Sequence, residues 1–257
     1  MLWFIRACVF IFSTFGFLHA QVSLVVYFED GSYKEGFGAV VDKGGTILTA
    51  ASLVLDERGE PAQRVVVRLQ EYESGPMSAI ARAEVRAVDS DRGLALLESR
   101  YYTDAFGNVR AILDPSMAAV IFTKQLAAIE EMRSLILPQE MLRMPIIDMW
   151  GALATKEIEA GETIIEYGRV MIGNVLTTTD RIDGALLLDA QMRVAGIVGS
   201  HGEHEQMLLG REMLFGFLCL VQRRGVAPLS LADSIKNECE TLPSMALYSE
   251  RFRPLLP

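Results

Sequence analysis

Two histidines, His201 and His204, stand close together in the run SHGEHEQ and are the groups of this chain best suited to acid–base or metal chemistry. Imidazole beside the carboxylates of Glu203 and Glu205 can ligate zinc or nickel. No third ligand stands at a fixed spacing and the pattern H-E-x-x-H is absent, so the cluster reads first as a solvated loop and only weakly as a metal site. Ser200 beside His201 offers a hydroxyl next to a base, yet neighbours in an extended segment point to opposite faces, which disfavours a nucleophile–base pair. A relocated catalytic set using Ser200, or another serine, with His204 is the remaining hydrolase reading, since neither G-x-S-x-G nor Asp-Thr-Gly is present. Asp89, Asp91, Asp180 and Asp183 read as turn residues and solvated charges, because a calcium loop needs closer alternation of oxygen ligands. No resident metal or cofactor is expected.

The elements that must position these groups begin after an export signal. Residues 1–20, MLWFIRACVFIFSTFGFLHA, carry Arg6, then a mostly apolar stretch from Ala7 to Leu18, then the small residue Ala20. The stretch is shorter than the ~20 residues a bilayer span requires, and the longest later apolar run, Met213 to Val221, is shorter still. A soluble, periplasmic or secreted mature chain is therefore expected, without an integral span once the signal is removed. Lys and Arg number 24 against 33 Asp and Glu, so the net charge is −9, and it falls to −10 without Arg6. A field of that sign repels phosphate, and nucleic acid is excluded as a partner. Two cysteines remain, Cys219 and Cys239; an oxidising compartment permits one bridge, while the apolar run FGFLCLV suits a free buried thiol equally well.

From residue 21 to 100 the chain reads as short β-branched strands, VSLVVYF, GAVV, TILTA, RVVVRL and AEVRAV, punctuated by Asp30-Gly31 and Asp42-Lys43-Gly44-Gly45. No amphipathic helix intervenes, which points to a closed antiparallel barrel. Residues 101–150 change character. They are rich in Ala, Met, Leu and Glu, with helical periodicity from Lys124 to Leu137, and form a linker or insertion. Residues 151–210 return to strands, with Asp189-Ala190-Gln191-Met192 as a hairpin turn. Residues 211–257 are expected to give a helix starting near Arg211 and ending by Pro228, a second short helix from Leu231 to Cys239, and a tail.

Three segments, in order, resemble the trypsin-like serine proteases in their bacterial HtrA (Deg) form. GFGAVVDKGGTILTAASLV (36–54) is similar to the strands leading to that family's catalytic histidine. AEVRAVDSDRGLALLE (83–98) is similar to the strand and loop carrying its aspartate, and GALLLDAQMRVAGIVGS (184–200) to the hairpin after its serine. The resemblance implies an all-β fold of two six-stranded antiparallel barrels with a C-terminal helix. It also implies a degenerate site. The histidine position falls on Ser52, the aspartate position on Gly93, and the serine position near Ile182, with Asp183-Gly184-Ala185-Leu186 replacing the family's SGGPL. The loop before it looks shortened, which would remove the oxyanion donors.

What remains is an inert apolar groove able to accept a strand by backbone pairing. The family's peptide-binding PDZ module has no counterpart in the residues after Pro228. The expected role is that of a non-catalytic, protein-binding or scaffolding component of a bacterial envelope assembly, such as the degenerate HtrA-like domains of periplasmic disks around the flagellar motor. An active hydrolase with a non-standard set, and a metal-linked module on His201 and His204, are the alternatives.

Overall fold

The computed structural model describes residues 21–70, 75–122, 126–166, 171–176, 178, 180, 182–201, 204–226, 233–242 and 249–255; of Pro115, Glu166, Met171, Ile172, His201, His204, Glu205, Asp233 and Ser234 it describes the backbone only. The β-branched runs form the strands β1 (Gln21–Tyr27), β2 (Tyr33–Val40), β3 (Thr46–Ala50), β4 (Arg64–Gln70), β5 (Met77–Asp89) and β6 (Leu94–Thr103). They pair in the order β5-β4-β1-β2-β3-β6, and β5 pairs back onto β6 from Ala81↔Tyr102 to Asp89↔Leu94, which closes a six-stranded antiparallel barrel. Val22, Leu24, Val26, Ile47, Val65, Val67 and Leu97 fill it, alternate residues of each strand pointing inward. Turn chemistry does the rest: Asp30 accepts the Ser32 N–H at 2.8 Å, and Asp42 accepts both the N–H and the hydroxyl of Thr46.

A second barrel follows, from β8 (Met141–Ile147), β9 (Leu153–Glu166), β10 (Met171–Leu176), β11 (Leu186–Leu188), β12 (Val194–His201) and β13 (His204–Leu209). It is closed in the order β10-β13-β12-β11-β8-β9, every pairing antiparallel. The turn between β11 and β12 is the expected one. Asp189 accepts the N–H groups of Gln191 and Arg193, and Met192 takes a positive φ of 65°.

The stretch between the barrels departs from the helical expectation for 124–137. β7 (Val109–Ala111) adds to β6, and helix forms earlier, over Pro115–Phe122, leaving among the described residues of 124–137 a 3₁₀ turn at Ile129–Glu131; Lys124 and Gln125 lie outside them. Periodicity fails here because the backbone donors find partners across the molecule. Ala127 N–H bonds Val40 and Arg133 N–H bonds Val194, so the segment straps one barrel to the other while burying Ala127, Ile129, Met132 and Ile136.

We number the helices α1 (Ala51–Val54), α2 (Pro115–Phe122), α3 (Arg211–Arg223) and α4 (Asp233–Thr241). Helix α3 buries every residue from Met213 to Val221, because it shares one core with Ala87, Leu94 and Leu96 of the first barrel, Ile197 and Leu209 of the second, and Ile235 of α4. It ends at Arg223, ahead of Gly225 (φ +63°), and Pro228 lies outside the described residues. Cys219 and Cys239 form a disulfide between α3 and α4, which decides the question the sequence leaves open. A last strand, β14 (Phe252–Pro254), returns to the first barrel and pairs with β5.

Candidate functional site at the seam

Strand β3 ends in Ala50, and the one-turn helix α1 that follows places Ser52 half-buried at the junction of the barrels. Lys34 fixes this helix by donating from Nζ to the carbonyls of Ser52 (2.8 Å) and Leu55 (2.6 Å), oxygens that a short helix leaves without internal partners. The Ser52 hydroxyl donates to Asp183 Oδ1 at 2.8 Å, a contact spanning 131 residues. That pair is the polar content of the seam at this point. It is a hydroxyl and a carboxylate, with no described imidazole between them.

Gly93 has no room for a side chain. Its φ is +68°, and a Cβ built there would lie 2.3 Å from the carbonyl oxygen of Ser200. Only glycine fits that backbone conformation and that approach. Gly93 instead serves the seam through its own carbonyl, which accepts the Ala51 N–H at 2.9 Å.

Ile182 is buried at 1% exposure among Leu142, Met144, Leu187 and Val198 of the second barrel, and the residue that faces Ser52 is its neighbour Asp183. In step with the family's SGGPL, Ile182 takes the serine place and Asp183 the glycine after it, so no local signal singled out Asp183. Backbone groups around it are committed. The Asp183 carbonyl accepts the Phe37 N–H at 2.8 Å, Gly184 N–H donates to Val198 at 2.7 Å, and Ala185 N–H donates to Ile182 at 2.9 Å. Thr49 Oγ1 donates to the Phe37 carbonyl at 2.6 Å. A Cβ on Gly184 (φ +76°) would lie 2.0 Å from that same carbonyl, so the turn and β2 are pressed together. Donors already held in this way are not aimed at a developing oxyanion.

Beside the pair lies a groove of about 480 Å³ lined by Tyr33, Lys34, Glu35, Ile147, Asp180 and Ile182, among others. It mixes charge with apolar surface, and so departs from the wholly apolar groove expected from the sequence. Gln21 completes the inter-barrel contact: its buried carboxamide donates to the Leu186 carbonyl (2.6 Å) and accepts the Leu186 N–H (3.0 Å).

The other candidates are dispersed. Asp180 pairs with Lys156 at 2.7 Å. His201 and His204 face each other as Cα partners across β12 and β13, with their side chains outside the description. Among the described residues no group of three or more His, Cys, Asp or Glu is placed to hold a metal. Ser200 meets the seam through its carbonyl, against Gly93.

No family model and no curated protein matches the chain. Among solved structures it is similar to a serine endoprotease from Yersinia pestis, with a TM-score of 0.51 and 13% identity over 81% of this chain and 64% of that one. It is also similar to the HtrA-type protease AlgW, in a serine-to-alanine form with a tripeptide, again with a TM-score of 0.51 and 13% identity, over 81% of this chain and 62% of the other. The chain spans less than two thirds of the length of either. At that identity the likeness carries the fold: two closed six-stranded antiparallel barrels in the trypsin-like arrangement of HtrA-type proteases.

Proposed function

We propose that this chain is a pseudoprotease, an exported trypsin-like body that holds another protein of a bacterial envelope and cleaves nothing. The observation that carries the reading is the Ser52–Asp183 hydrogen bond, in which the residue at the histidine position meets a carboxylate one residue past Ile182, where the resemblance puts the serine. Serine-protease chemistry needs a base that withdraws the hydroxyl proton, and imidazole, with a pKa of about 6.5, does so far better than a carboxylate of about 3.9. Gly93 supports it further, because the Ser200 carbonyl leaves no space for a carboxylate to orient a base. The buried Cys219–Cys239 disulfide and the leader-like residues 1–20 support an oxidising, exported setting. With the chemistry gone, the two barrels offer shape, and an envelope scaffold is the use that fits.

The test is labelling of the purified protein with a fluorophosphonate probe, alongside cleavage of casein. No labelling and no cleavage is the expected result. Stoichiometric labelling that disappears in Ser52→Ala or Ser200→Ala would establish an active hydrolase with a relocated set and end the pseudoprotease reading.

A further inference from the structure

The turn between β8 and β9 carries two bare apolar side chains on a rigid mount. Met149 is 88% exposed and Trp150 78%. Their backbone is fixed within the turn: Asp148 Oδ1 accepts the N–H groups of Trp150 (2.8 Å) and Ala152 (2.9 Å), the Asp148 N–H donates to the Ala152 carbonyl (2.9 Å), and the Gly151 N–H donates to the Asp148 carbonyl (3.0 Å). The Gly151 carbonyl in turn accepts the Met77 N–H at 2.8 Å, which braces the turn against β5 of the first barrel. Only side-chain rotations remain to be ordered on binding, and tryptophan is among the residues that most often carry the energy of an interface.

The first barrel offers a seat for such a group. A cavity of about 610 Å³ is lined by Tyr27, Phe28, Arg64, Arg82, Tyr101 and Val109, among others. The Arg64 guanidinium lies 4.2 Å from the centre of the Tyr27 ring, and Arg64 is itself exposed, so a second ring can stack on its outer face. Among the described residues neither Arg64 nor Arg82 forms an ion pair with a carboxylate. Glu29 and Glu84 also line the cavity, and Glu84 is met by Arg100 at 3.7 Å.

The Trp150 turn does not fill this cavity on its own chain. It abuts the Met77 end of β5, where Pro76 bridges to Ala152, whereas the cavity lies at Arg82 to Glu84, and β5 rises ~20 Å from Met77 to Ala83. We propose that the chain assembles head to tail, with the Met149–Trp150 turn of one copy seated in the Tyr27–Arg64–Tyr101 cavity of the next. Charge suits the contact, since the turn brings the Asp148 carboxylate toward Arg64 and Arg82. Knob and seat are different patches, so each copy can both give and receive, and repetition makes a ring or an open row rather than a closed pair. The inference deepens the scaffold reading and rests on it for its purpose, while using neither Ser52 nor Asp183. Failure to assemble would leave the chain without catalysis as before, and labelling by a fluorophosphonate would leave the assembly standing.

The test follows sedimentation of the full-length chain over a concentration series. Wild-type protein should pass beyond dimer as concentration rises. Trp150→Ala removes the knob and Arg82→Glu reverses a charge in the seat; both side chains are exposed, and each change should raise the concentration of half-association about tenfold or more. Mixed one to one, the two variants hold one intact knob and one intact seat between them, so they should form heterodimers and stop there. A wild-type chain that stays monomeric at about 1 mM overturns the proposal. So does a wild-type dimer that never grows, or a mixture of variants with native circular dichroism that restores no heterodimer. Binding to phosphatidylcholine vesicles that Trp150→Ala abolishes, in a chain that does not self-associate, would assign the turn to a lipid surface and likewise overturn it.

Discussion

Asp183 and Asp89 sit on either side of the same seam, and they are furnished very differently. Asp183 presents its carboxylate to the single hydroxyl of Ser52 and is half-buried. Asp89 is fully buried beneath two backbone N–H groups, the Arg92 guanidinium and the Ser249 hydroxyl. Arg92 immediately precedes Gly93, so the dense network holds in place the glycine that meets the Ser200 carbonyl. In this chain the strong electrostatics support architecture, and the seam where a protease concentrates its chemistry is the sparse region.

That contrast can be broken by mutation. Asp89→Ala breaks a buried ion pair and removes the acceptor of two backbone N–H groups and the Ser249 hydroxyl, and should cost about 3–5 kcal/mol of unfolding free energy, read from urea titrations. Asp183→Ala removes one hydrogen bond whose donor can turn to water, and a loss of about 1 kcal/mol is expected by the same measurement. Equal costs would erase the distinction between the two regions.

A third measurement sharpens it with a group that has too little support. Burial raises the pKa of Glu212, at the first turn of α3, and its Oε2 has no hydrogen-bond partner among the described residues. A carboxyl with a raised folded-state pKa favours the protonated native form, so stability is present at low pH and is lost as pH rises from the unfolded value through the folded one. Glu212→Gln should therefore raise the melting temperature slightly at pH 7, with the gain vanishing below about pH 4. Melting curves of the two proteins at both pH values check this.

The strands of the first barrel were legible because β-branched runs and Asp/Gly turns are local signals, and Asp30 and Asp42 close their turns within a few residues. The same locality made the β11–β12 hairpin readable from DAQM. The segment 126–137 was not, because its fate is set by Val40 and Val194, far off in sequence. The site shows the same division. The sequence pointed to Ile182, whereas the residue facing Ser52 is the next one, Asp183, fixed by a contact across 131 residues. Nothing local announced that Ser249 would reach Asp89.

β14 has a consequence for the order in which the molecule is made. A lobe whose first strand starts at Gln21 receives its outermost one only at Phe252–Pro254, after the whole second lobe has been laid down. Contacts so distant along the chain form late and slowly. Until then the early lobe carries a bare flank, the kind of surface that pairs with the wrong neighbour. Cells producing this chain at high rate should find its half-finished form the aggregation-prone species, and a chaperone that covers that flank would act before any second-lobe residue matters.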